Sequence, residues 1–211
     1  MPSIGVCGAG IYNALRNVRL RNALPRFAVV PNTLTNFMPQ RANRFWTIFL
    51  SIVLLDVATK RFAVSSLVPY VPRNVVDDIL RFTLAFNSGG AMSLSLGPSS
   101  RWWFTLLSIA TLFVLAYMYK HTSPDDRLQL ASLALICGGA VGNLIDRVRS
   151  PLGVVDFIDI GVGIHRFWTF NIADVGVTLG TATLTWILCV RAAGDESRRA
   201  MQPSRALDEP S

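Results

Sequence analysis

Four stretches of this chain are too long and too apolar for a water-soluble domain, and acidic residues sit inside or against them. The stretches are residues 45–64, 102–119, 128–145 and 171–190. A helix of roughly 17–25 residues crosses the ~30 Å hydrocarbon core of a bilayer, so each is long enough to span it. Within that core, backbone polar groups must be satisfied internally, which leaves helices for segments of this length. The expected fold is an all-α membrane protein, a bundle of four transmembrane helices. Composition agrees: 51% of the 211 residues are hydrophobic and only 16% charged, against ~25% charged in soluble domains. The net charge of +7 comes from basic residues that flank the apolar runs. The expected partner is therefore the lipid bilayer, and no nucleic acid.

Lys and Arg also orient the bundle. Twelve fall on the side of residues 1–44, the short turn 120–127 and the tail 191–211; six fall in the two longer loops. The positive-inside rule places both termini in the cytoplasm and the longer loops outside. Trp46, Trp102, Trp103, Trp168 and Trp186 lie at or near proposed span ends, as an interfacial belt requires. The outer stretch 65–101 holds a β-like run at 80–86 followed by the turn residues Asn87-Ser88-Gly89-Gly90, so a small extracytoplasmic β-sheet element is expected there. Residues 1–44 carry six Arg and no acid. They read as a basic cytoplasmic tail, with Met38 as a candidate true start, and the polar residues 191–211 read as a disordered cytoplasmic tail. The domain proper is then 45–190.

Cys7, Cys137 and Cys189, with His121 and His165, have none of the spacings of a metal site or disulfide framework. No metal and no cofactor is expected. The acids carry the chemistry instead. An Asp near the middle of a spanning helix costs about 2.5–3.5 kcal/mol on insertion scales, so each needs a partner or a function. Asp56 and Lys60 are four residues apart, on one helical face and within ion-pair reach. Gly138, Gly142 and Asp146 share another face, with Asn143 and Arg147 beside it, and the small residues there let a neighbouring backbone approach closely. Asp156 sits in the apolar run Val154-Val155-Asp156-Phe157-Ile158, which should dip back toward the membrane. Asp174 falls in the first turn of the last span, where a helix N-terminus favours a carboxylate. Asp159 reads as solvated.

Two carboxylates held close cannot both ionise easily, so they share a proton and titrate as a unit. Such a pair can deprotonate a water for attack on a peptide carbonyl and protonate the departing nitrogen. Spacing does not say which two of Asp146, Asp156 and Asp174 form it.

Four motifs in order resemble those of lipoprotein signal peptidase (signal peptidase II), an aspartyl intramembrane protease family. They are Asp56-Val57-Ala58-Thr59-Lys60, Gly142-Asn143-Leu144-Ile145-Asp146-Arg147, Val154-Val155-Asp156-Phe157 and Phe170-Asn171-Ile172-Ala173-Asp174. Asn87-Ser88-Gly89-Gly90-Ala91-Met92 departs from the family's N-x-G-A-A-F at Gly90 and Met92. The resemblance implies that Asp156 and Asp174 are the catalytic pair. It implies that Asp56, Lys60, Asn87, Gly139, Asn143, Asp146, Arg147 and Asn171 bind substrate or support the site. It further implies a prolipoprotein substrate, cut just before a Cys that carries diacylglycerol, and an enzyme in the bacterial inner membrane with its active site near the outer face. A monomer is expected. The alternatives are a small ion-coupled transporter or proton-conducting subunit and a structural membrane scaffold.

Overall fold

The structure, a computed structural model, describes residues 33–89 and 96–201. Expectations about residues 1–32, Gly90 and Met92 and the last ten residues lie outside it. The chain divides into Met1–Asn36 and Phe37–Ser211; the site belongs to the second unit.

All four apolar stretches are helical, apart from Asn171 at the start of the last. They fall in α1 (Thr33–Ser66), α2 (Ser100–His121), α3 (Arg127–Arg149) and α4 (Ile172–Met201). Strands β1 (Arg73–Val76), β2 (Leu80–Asn87), β3 (Val154–Val162) and β4 (His165–Arg166) form an antiparallel sheet in that order. By length and composition, α2, α3 and α4 can cross a membrane. α1 is not among those three, and Asp56, Lys60 and Arg61 interrupt its apolar run. Residues 191–201, expected within a disordered tail, are helical. They are mostly Ala, Arg and Glu, strong helix formers, and the first proline after them is Pro203.

α3 is the most enclosed helix. Leu133, Ala134, Ile136 and Cys137 join Phe45, Leu115 and Leu184 in one core. Its glycines set the close approaches. A Cβ on Gly138 would lie 3.0 Å from the Ile52 side chain of α1, and one on Gly142 would lie 2.5 Å from the Asp56 carboxylate. Gly139 faces the backbone of Ala173 on α4, while Gly176 and Gly180 face the α3 carbonyls of Leu135 and Ser132. The two helices therefore pack backbone to backbone, as small residues permit. At the other end of α3, the Asp126 side chain accepts from the Gln129 amide at 3.2 Å and caps the helix. Leu54, Phe62, Phe113 and Trp186 point outward and are more than half exposed, the reverse of a soluble protein.

The sheet contains the expected β-like run as β2, but two of its strands come from the loop 150–171. The run around Asp156, expected to dip toward the membrane, is β3. Its alternation is that of a strand with two functional faces. Val155 and Phe157 pack with Leu84 and Ala63 in a second core. Val154 and Asp156 take the opposite face, beside Asn87 and Ala85, their register partners on β2.

Candidate active site

Lys60 is the hub on the helical side. Its ammonium lies 2.8 Å from Asp56 Oδ2, 2.8 Å from Asp146 Oδ2 and 2.9 Å from Asn143 Oδ1. Two carboxylates and one amide oxygen thus surround the ammonium, which is how a charge only 3% exposed is tolerated. The expected i,i+4 pair is present, joined by a second acid from α3. Asp56 Oδ1 accepts the Ala173 amide at 2.9 Å, so the same carboxylate ties α1 to the first turn of α4. Asp146 reaches toward the sheet and accepts the Val155 amide at 3.3 Å.

Asn143 passes this order on. With its Oδ1 taken by Lys60, and by Asn171 Nδ2 at 3.1 Å, its own Nδ2 donates to Asp174 Oδ1 at 2.8 Å. Asn171, fully buried just before α4, touches both members of the candidate pair. Its backbone N–H donates to Asp174 Oδ2 at 3.2 Å, and its Nδ2 donates to Asp156 Oδ1 at 2.7 Å. Its Oδ1 accepts the Asp174 amide at 3.0 Å. Asn171 and Asp174 thus cap α4 reciprocally, as in a capping box. From the sheet, Asn87 Nδ2 donates to Asp156 Oδ2 at 3.3 Å, while Asn87 Oδ1 accepts the Gly89 amide at 3.0 Å.

Asp156 is 3% exposed. Burial first, and then the charge of Asp174, push its carboxyl up to about 7; hydrogen bonds from Asn87 and Asn171 and the Lys60 charge pull the other way. Gly153 makes room for this arrangement. It has φ +91°, and a Cβ there would strike the Asn87 backbone. That is a left-handed position which favours glycine, and it starts β3 tight against the end of β2.

Asp156 and Asp174 line one cavity of about 450 Å³. Asn87, Asn143 and Arg147 line it too, and it extends between helices past Phe104, Leu107, Ile136 and Val177. Arg147 is buried and donates through Nη2 to the Gly89 carbonyl at 3.2 Å. Gly139 does not reach the cavity; it works as a helix contact against Ala173. A second cavity of about 310 Å³ shares Asn87, Asp156 and residues 167–169 with the first, and is bounded by Ala85, Asp159 and Arg166.

Of the ten residues singled out in the sequence, Asp56, Lys60, Asn143, Asp146, Asn171, Asp174, Asp156 and Asn87 form one connected polar network. Arg147 borders the same cavity, and Gly139 lies under it. Asp159 corrects the sequence reading. It is 6% exposed, not solvated, accepting from Thr83 Oγ1 at 3.0 Å and from Arg166 Nε at 2.6 Å. Arg166 and Thr83 were not singled out. The available signal was a lone cation within the largely apolar stretch 157–170. Arg101 was also passed over; it donates to the carbonyls of Arg147 and Ser150 at 3.3 and 2.9 Å, satisfying the end of α3.

A family model described as signal peptidase (SPase) II matches residues 48–190. The chain is 37% identical over 146 residues to the lipoprotein signal peptidase of Polynucleobacter necessarius subsp. necessarius, covering 68% of this chain and 87% of that one. It is 36% identical over 158 residues to the lipoprotein signal peptidase of Geobacter sulfurreducens, covering 74% and 95%. Among solved structures, it resembles a bacterial membrane enzyme determined by the in meso method at 2.3 Å resolution. The TM-score there is 0.63 at 26% identity, over 76% of this chain and 94% of the other.

Proposed function

The chain belongs to the signal peptidase II family, and we propose on that premise that Asp156 and Asp174 carry out its reaction. It is an integral membrane protein and a lipoprotein signal peptidase, an aspartyl endopeptidase acting on prolipoproteins. Family membership replaces the transporter and scaffold alternatives. The observation that carries the catalytic assignment is Asn171, which donates one hydrogen bond to each of the two carboxylates that line a single cavity.

In the proposed reaction a water sits between the two carboxyls. Its oxygen attacks the scissile carbonyl carbon while one proton passes to Asp174. The proton held on Asp156 moves to the carbonyl oxygen, giving a neutral gem-diol. Collapse returns that hydroxyl proton to Asp156 as the C–N bond breaks, and Asp174 gives its proton to the departing nitrogen. Asn143 and Asn171 keep the Asp174 oxygens aimed, and Lys60 fixes Asn143. Cleavage falls just before a diacylglyceryl-Cys, whose lipid holds the scissile bond at headgroup depth. α1 completes a four-span bundle, with Asp56 and Lys60 turned inward. Both termini are cytoplasmic, and the sheet and site lie at the outer face of the inner membrane. The enzyme works as a monomer.

The test is cleavage of a fluorogenic lipobox peptide, with and without diacylglycerol on the Cys, by purified protein in detergent. Wild type should cut only the lipidated peptide. Asp156→Asn and Asp174→Asn should each lose roughly 10²–10⁴-fold or more while remaining folded. Turnover near wild type in either variant would remove that residue from the pair.

A further inference from the structure

We propose that the second cavity binds the mature side of the substrate, the first two or so residues after the cleaved bond's lipid-bearing Cys, and that Arg166 holds their backbone. The inference rests on the peptidase reading and extends it. The argument begins with direction. The first cavity leaves Asp156 toward the helices and is walled largely by apolar side chains such as Leu107, Ile136 and Val177. The second leaves the same residue along the sheet and is bounded by polar ones, Asn87, Asp159, Arg166 and Thr169. A peptide bond poised at the pair has chain on both sides. The apolar cavity suits the end of a signal helix. The polar one is then the route for the other side, a chain bound for water.

Arg166 is built as a receptor rather than as a loose surface charge. Its side chain is 16% exposed and ion-paired at 2.6 Å to Asp159, itself 8% exposed. Nε serves Asp159 Oδ1, Nη2 the Asp159 carbonyl at 3.1 Å, and Nη1 the Asp78 carbonyl at 2.8 Å. These bonds use three of the five N–H donors of a guanidinium and lock its plane. The other two N–H groups have no hydrogen-bond acceptor among the described residues, the Asp78 carboxylate lying 3.8 Å from Nη1. Because Asp159 pairs with Arg166 and Asp78 pairs with Arg81, the charge is already balanced, so the site suits neutral carbonyl oxygens of an extended backbone and does not select acidic side chains.

The experiment compares diacylglyceryl-Cys peptides that end in an amide directly after the Cys with peptides extended by two or four residues. In wild type, kcat/KM should rise about tenfold over the first two residues, the gain of one or two hydrogen bonds to a charged donor, and little thereafter. Arg166→Gln should reduce that ratio to about twofold or less. Arg166 also ties β4 to β3, so a second variant, Ala85→Phe, fills the cavity from β2 while keeping both members of the Arg166–Asp159 pair. It should flatten the length dependence in the same way. Length-independent kcat/KM in wild type, or a tenfold ratio kept in both variants, would overturn the proposal and leave the peptidase reading standing. If wild type cut none of the peptides, both would fall together.

Discussion

Asp156→Asn should make the protein insensitive to a pH change that weakens the wild type. The Asp156 carboxyl has an ordinary value of 3.8 and is pushed up to about 7 when folded. The folded state therefore holds a proton that the unfolded chain gives up, and stability falls as pH rises from about 4 through about 7. A displacement of roughly 3 units at about 1.4 kcal/mol each makes the loss about 4 kcal/mol by pH 8, and under half of that at pH 5. Asparagine carries no such charge. Its cost is one amide N–H turned toward a donor, at the 3.3 Å contact with Asn87 Nδ2, worth about 1–3 kcal/mol at every pH. The variant should match wild type near pH 5 and exceed it by about 1–3 kcal/mol at pH 8. Thermal unfolding of both proteins in the same detergent at pH 5 and pH 8 reads this difference directly. Asp174→Asn serves as a third arm. Removing the Asp174 charge takes away the second cause of the displacement, so the wild-type drop between the two pH values should shrink. Parallel shifts of wild type and Asp156→Asn would refute the reasoning, because they would show that Asp156 binds no extra proton in the folded state.

Two further outcomes follow from the same network. Lys60→Met leaves Asp56 buried without its cation and should cost about 3–5 kcal/mol; adding Asp56→Asn should recover part of it, because asparagine Oδ1 can still accept the Ala173 amide, and an equal loss in the double variant would contradict the pairing. On the activity side, kcat/KM should decline as pH rises through about 7, because the proton that Asp156 supplies to the carbonyl oxygen is lost there. A flat profile from pH 6 to 9 would exclude Asp156 as the acid.

The helices were legible because their signals are local. Asp56 and Lys60 meet because 3.6 residues per turn places i and i+4 together, and Gly138 and Gly142 seat α1 for the same reason. The identity of the acidic pair was not legible from spacing. Asp156 lies on a strand and Asp174 on a helix, and no single period relates them. What joins them is Asn171, whose backbone faces one and whose side chain faces the other. Asp159 was misread for a related reason. Its partner Arg166 lies outside any local period and arrives only because β4 folds back antiparallel, with Gly161 opposite Arg166.

The medium explains why so much of the site could still be located. In water, an acid within an apolar stretch can turn outward at little cost. Against lipid it cannot, so each one implies a partner elsewhere in the chain. The sequence therefore marks Asp56, Asp146, Asp156 and Asp174 as needing partners without saying which. Few residues near the apolar stretches can answer. Lys60 supplies the cation, shared by Asp56 and Asp146. Asn143 and Asn171 supply neutral donors to Asp174 and Asp156. That division has a chemical consequence. The ammonium is spent on the two acids that brace the helices, while the two that face the cavity receive amides. Amide donors orient a carboxylate without supplying a full positive charge to suppress its protonation, and Asp156 is left able to hold a proton near neutral pH. A lysine at position 171 would anchor Asp156 more firmly and take away the proton that the reaction has to move.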